Sequence, residues 1–192
     1  MKRPILLFVV FTVFAGNCLG QKGWRFRNED YAGVAHGERG SYGQLRTVNG
    51  IYQRGWFLGL ETGLDYYGFR SIPLLLSVSR DLPLDKRNGL FLYADAGANM
   101  PWYVRPHLYS GMPASKFHGG PAWGAGLGYE WKLSARGSRA LLFSAGYSMK
   151  KLKETEPDQG PCYVPGGCPI MYDETTYTYL LRTLMLRFGF RF

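Results

Sequence analysis

The sequence predicts an all-β chain: an eight-stranded antiparallel transmembrane β-barrel, an up-and-down meander that follows a cleaved signal peptide. Three observations predict it. Apolar side chains alternate with small or charged ones, with a period of two, over long stretches. The first residues have the three parts of an export signal. The last strand is amphipathic and ends, in phase, on an aromatic residue, Phe192.

Lys2 and Arg3 give the export signal its positive start, Ile5 to Phe14 is an apolar run broken by Thr12, and small residues follow. That run is too short to cross a bilayer as a helix, which takes roughly 20 residues. Cleavage is expected after Gly20, which leaves residues 21–192 as one barrel domain. The alternatives are an uncleaved anchor and a lipid on Cys18; Asn17 stands where a small residue is wanted before a lipidated cysteine. Losing 1–20 removes Lys2 and Arg3 and no acid, so the formal charge falls from +9 to +7. In an exported chain that excess suits the headgroups of outer-membrane lipid or lipopolysaccharide, not nucleic acid.

The strands follow from alternation. From Trp56 to Tyr66 one face carries Trp56, Leu58, Leu60, Thr62, Leu64 and Tyr66, the other Phe57, Gly59, Glu61, Gly63 and Asp65. Successive side chains on a strand point to opposite sides, so one side is apolar and the other small or charged. The apolar face also begins and ends on an aromatic, as a stripe between two headgroup layers would. The same pattern recurs over Leu90–Trp102, Trp123–Leu133 and Leu141–Lys150, and more weakly over Ile72–Ser79, where Pro73 and Leu75 blur it. Two strands are expected ahead of these, Tyr31–Arg39 and Tyr42–Tyr52 around a turn at Gly40-Ser41. The last is expected over Thr176–Phe192.

In that last strand Leu184, Leu186, Phe188, Phe190 and Phe192 alternate with Met185, Arg187, Gly189 and Arg191. This resembles the C-terminal signature of bacterial outer-membrane β-barrel proteins, and by size the chain looks like the small eight-stranded, OmpA/OmpX-type members. The resemblance implies a place in the outer membrane of a Gram-negative bacterium and recognition of the last strand by the barrel-insertion machinery. It also implies short periplasmic turns and longer outer loops. With both termini periplasmic, the links at Gln53–Gly55, Asp81–Asn88 and Ser134–Ser138 fall inside, and those at Tyr103–Lys116 and Lys151–Thr175 outside.

Eight strands enclose an interior just wide enough for side chains. Arg46, Glu61, Asp65, Asp95, Glu130, Lys132, Arg187 and Arg191 are expected to face it and to pair, because a single buried charge is costly. The inward glycines Gly59, Gly63, Gly124, Gly126 and Gly128 then make room for bulky neighbours. Cys162 and Cys168, around Pro165-Gly166-Gly167, fit a disulfide in an oxidising compartment, worth ~2 kcal/mol by chain entropy. A metal site is the alternative there, and two thiolates with no nearby histidine make a poor one.

No cofactor is expected. The leading functional expectation is a non-catalytic barrel that acts in envelope structure, adhesion or partner binding through extracellular loops. Those loops carry Tyr103, Tyr109, Phe117, Tyr163 and Tyr172 among several prolines. Exposed tyrosines give contact area at small entropic cost. One alternative is a narrow channel for ions or small solutes. Another is a lipid-modifying enzyme that would draw on His36, His107 or His118, although no His-x-Ser pair or Gly-x-Ser-x-Gly elbow accompanies them.

Overall fold

The computed structural model describes residues 23–102, 115–134, 139–159 and 172–192. Cleavage after Gly20, Cys18, the Cys162–Cys168 pair, His107, and Tyr103, Tyr109 and Tyr163 lie outside those residues. The strands are β1 (Arg25–Gly37), β2 (Gly40–Gln53), β3 (Trp56–Asp65), β4 (Ser71–Pro83), β5 (Asn88–Pro101), β6 (Lys116–His118), β7 (Gly120–Lys132), β8 (Ala140–Gln159) and β9 (Tyr172–Arg191). All pairings are antiparallel, β1 to β5 each lie beside the next, β5 pairs with β7, β6 and β7 both pair with β8, and β9 joins β8 to β1 to close the ring.

These nine segments form eight staves, because β6 and β7 are two lengths of one. Both pair with β8, but His118 faces Lys153 while Ala122 faces Lys150. One extra residue therefore sits on the β6–β7 side, a bulge at Gly119 that bends the stave near its outer end.

Burial follows the alternation. Leu58, Leu60, Leu92, Leu127, Leu184, Leu186 and Phe188 are exposed on the outer wall, and Phe57, Phe91, Tyr93, Leu142 and Met185 are buried inside. Pro73 and Leu75 point inward, so β4 keeps its outward stripe of Ile72, Leu74, Leu76 and Val78. No helix among the described residues is long and apolar enough to cross a membrane. A spanning structure with an apolar exterior would here have to be the closed sheet, whose backbone groups are all paired.

Inward glycines fit against rings. A Cβ on Gly128 would strike Phe91, one on Gly126 or Gly146 would strike the Tyr93 hydroxyl, and one on Gly189 would strike Tyr31. Large and small residues thus interlock across the narrow lumen. At the inner end, Arg54 (φ 49°) and Gly55 (φ 83°) join β2 to β3 in a two-residue turn, with Gly55 free to take the left-handed backbone that such a turn demands.

Several boundaries differ from the sequence expectation, and the link expected over Asp81–Asn88 is shorter because β4 runs on to Pro83 and β5 starts at Asn88. β1 starts at Arg25, well before Tyr31, because Arg27 and Glu29 continue the inward phase of Tyr31. The first outer turn is Glu38-Arg39, not Gly40-Ser41, since Gly37 already pairs with Gly40. The link expected over Lys151–Thr175 is strand at 151–159 and 172–175: β8 and β9 each run for 20 residues, against 10 in β3, and stand out beyond the other staves.

Candidate functional site

The interior is layered. Toward the outer end, Ala35, Tyr67, Leu152, Leu181 and Met185 form one apolar cluster. Above it Arg39 lies over Phe69 and Tyr179, at 5.2 and 4.8 Å from the ring centres, and Phe69 packs on Phe117. Deeper in, Tyr31, Val48, Phe57, Phe91, Tyr93 and Leu142 form a second apolar cluster. Charged tiers lie beside and below that second cluster.

The middle tier holds Arg46, Lys150 and Arg187 against Glu61, Asp65 and Asp95. Arg46 donates to Glu61 Oε1 and to Asp65 Oδ2, both at 3.3 Å. Lys150 Nζ stands 3.1 Å from Asp65 Oδ2 and donates to Ser71 Oγ at 3.3 Å. Arg187 Nη1 is 3.8 Å from Glu61 Oε1, its Nε donates to Ser144 Oγ at 3.3 Å, and its guanidinium lies over Tyr31 and Tyr93 at 5.1 and 4.3 Å. Asp95 lies in the field of Glu61, Arg187 and Arg46.

The inner tier holds Arg27, Lys132 and Arg191 against Glu29, Asp81 and Glu130. Arg27 donates to Glu29 at 2.6 Å and to Asp81 at 2.8 Å, and its guanidinium stacks over Phe57 at 4.8 Å and Tyr52 at 5.0 Å. Arg191 donates to Glu29 at 3.0 Å and also bonds Glu130, which Lys132 approaches to 3.3 Å. Tyr31 donates its hydroxyl to Glu29 at 2.6 Å. In each tier three cations face three acids, so the formal charges cancel. An uncompensated buried charge would cost several kcal/mol, and cancellation within each tier avoids that cost.

All eight charges singled out in the sequence lie inside the barrel, Lys132 at its mouth with partial exposure. Arg27, Glu29, Asp81 and Lys150 join them. The alternation alone places Arg27 and Glu29 ahead of the first strand, Asp81 in a turn, and Lys150 on the inward face of its strand. The readable signal for the first two was phase: Arg27, Glu29 and Tyr31 share one side of β1.

Some inward polar atoms have no hydrogen-bond partner among the described residues: both amide atoms of Gln44 and of Asn99, and Oδ2 of Asp95. On the outer wall, His36 Nδ1 is 2.8 Å from Ser41 Oγ, both exposed near the outer end. No carboxylate completes that pair among the described residues, nor do three His, Cys, Asp or Glu side chains converge there as a metal site. His118 is exposed on β6. Leu184, Leu186 and Phe188 are exposed on the outer wall of β9, Phe190 is partly so, and Phe192, just past its end, is exposed as well.

No family model matches the chain, and no curated protein matches it either. Among solved structures, the outer membrane protein OprG from Pseudomonas aeruginosa is similar over 90% of this chain and 97% of that one, with a TM-score of 0.52 and 14% sequence identity. At that identity the likeness establishes the fold. The chain has the architecture of a small eight-stranded outer-membrane barrel.

Proposed function

We propose that this chain spans the outer membrane of a Gram-negative bacterium as a closed, non-catalytic barrel. It serves the envelope by binding, whether in structure, adhesion or partner recognition, and not by conduction. The filling of the lumen carries this reading: two charge-balanced tiers and two apolar clusters together fill the bore. Apolar layers of this kind oppose a continuous water path, and paired charges leave little free field to draw ions through. The stiff bore frames the aromatic outer end, where Arg39, Phe69, Phe117 and Tyr179 cluster and a partner has rigid surface to meet. The outward phase of Leu184–Phe192 supports recognition of the last strand by the barrel-insertion machinery.

Recording from the purified barrel in planar bilayers tests the reading. It predicts a silent baseline at either polarity, and stable ohmic steps would overturn it. A narrow channel is the second reading, and the unpartnered amides of Gln44 and Asn99 favour it, because buried polar groups without protein partners call for water. In that case the steps should appear, and Asp95→Asn should change their cation selectivity.

A further inference from the structure

At the inner end of the bore lies an open cavity of about 480 Å³. Six cationic side chains line it, Arg25, Arg27, Arg54, Arg80, Lys132 and Arg191, against two acidic side chains, Asp81 and Glu130. Both carboxylates are already engaged: Asp81 by Arg27 at 2.8 Å, and Glu130 by Arg191 and by Lys132. Among the described residues no carboxylate forms an ion pair with Arg25, Arg54 or Arg80. Arg80 donates one nitrogen to the Arg54 carbonyl at 2.8 Å and stacks over Trp56 at 5.1 Å, which holds its guanidinium at the rim.

The floor of the cavity also holds a buried cation. Arg191 is 5% exposed, its Nε and Nη1 are bonded to Glu29 and Glu130, and its Nη2 has no hydrogen-bond partner among the described residues. That donor belongs to a side chain of the cavity wall. That nitrogen is itself enclosed, so the accessible donors of the cavity are those of the rim arginines.

We propose that this inner mouth binds a phosphate-bearing anion. Several guanidiniums placed around one cavity suit a group with more than two acceptor oxygens, and Arg is the side chain whose fork matches phosphate. Arg191 lines the floor of the site, and Arg25, Arg54 and Arg80, which have no ion pair among the described residues, supply charge and donors at the rim. The group has two possible sources. Phe26, Leu82 and Phe192, exposed on the outer wall, also line the cavity, so an acidic phospholipid of the inner leaflet can place its phosphodiester over the rim and its tails against these side chains. A soluble phosphate ester can enter from the aqueous side. The proposal rests on the membrane reading only for the lipid source.

The purified full chain is folded in detergent micelles and titrated with glycerol phosphate, followed by phosphorus NMR line broadening. A second arm reads retention of phosphatidylglycerol against phosphatidylcholine by native mass spectrometry. Binding of glycerol phosphate assigns the soluble source, and selective retention of phosphatidylglycerol alone assigns the lipid. In either case the double substitution R25Q/R80Q should weaken binding at least fivefold, R25K/R80K should restore most of it, and added salt should weaken it. These side chains are at the mouth, and the heat-dependent gel shift of a folded barrel confirms that the variants fold. Neither anion bound, or equal binding by the wild type and R25Q/R80Q, overturns the site. Micelle binding does not require insertion, so failure to insert into vesicles would count against the membrane reading and leave this result separate.

Discussion

Lys150 and Asp65 meet at 3.1 Å across the lumen, from staves that stand opposite each other in the closed ring. Arg27 to Asp81 and Arg187 to Glu61 likewise join strands that are not neighbours in the sheet. Backbone hydrogen bonds fix each strand to the next; these side chains tie the wall to its far side. Packed apolar side chains could fill the same space at no loss of stability. What the ion pairs add is a definite partner for each position across the bore.

Removing both ends of that brace is therefore predicted to cost less than the two single losses added together. Asp65→Asn leaves Lys150 buried with Ser71 as its remaining acceptor, at roughly 3–5 kcal/mol. Lys150→Met leaves Asp65 to Arg46 and costs less. The double variant should lose less than the sum, with a coupling of about 1–3 kcal/mol. Urea unfolding from lipid vesicles measures all three, and simple additivity would show that the brace is not one unit.

The outer wall predicts a depth profile. Leu186→Arg places a charge near the middle of the apolar band and should cost about 2–4 kcal/mol, while Leu82→Arg, close to the inner rim, should cost about 0–1 kcal/mol. The same unfolding experiment reads both. Equal penalties would contradict an apolar band at this height.

Gly146 makes room for a ring. A Cβ there meets the Tyr93 hydroxyl, and Gly146→Ala should destabilise by about 1–3 kcal/mol through overpacking. Adding Tyr93→Phe removes the obstructing oxygen and should recover part of the loss. No recovery would place the strain in the backbone contact with Ala125 instead.

The His36–Ser41 contact has the distance of a base and a nucleophile but lacks an orienting acid among the described residues. Cells carrying His36→Ala or Ser41→Ala are expected to keep the lipid A mass of cells with the wild-type chain. A shift of one acyl chain would turn the barrel into an enzyme.

The wall was legible where one face is uniformly apolar. Trp56–Asp65 and Leu184–Phe192 are seen in the sequence because every outward residue in them is apolar or Thr62, and every inward one is small, charged or locked against a neighbour. The first two strands were hard to place because their outer face is polar near the inner end. Asn28, Asp30, Thr47 and Asn49 point outward, and Asn28 donates to Asn49 at 2.7 Å, a pairing no periodicity reveals. Charges within the clearly alternating strands could be assigned to the lumen. Those at strand ends, such as Arg27, Glu29 and Asp81, could not, and none could be paired from spacing. Strand stagger decides whether Arg187 reaches Glu61 or Asp65, and stagger is set by turns and by the Gly119 bulge, not by composition.

The membrane assignment is tested most directly by nitroxide labels at Leu58→Cys, Leu127→Cys and Phe188→Cys, in a chain whose native cysteines are changed to serine and which is folded into lipid vesicles. All three side chains are exposed on the outer wall. Their relaxation should respond to dissolved oxygen, which concentrates among acyl chains, and stay insensitive to a water-soluble nickel chelate. Strong relaxation by the chelate at all three positions would place that wall in water and contradict a transmembrane barrel.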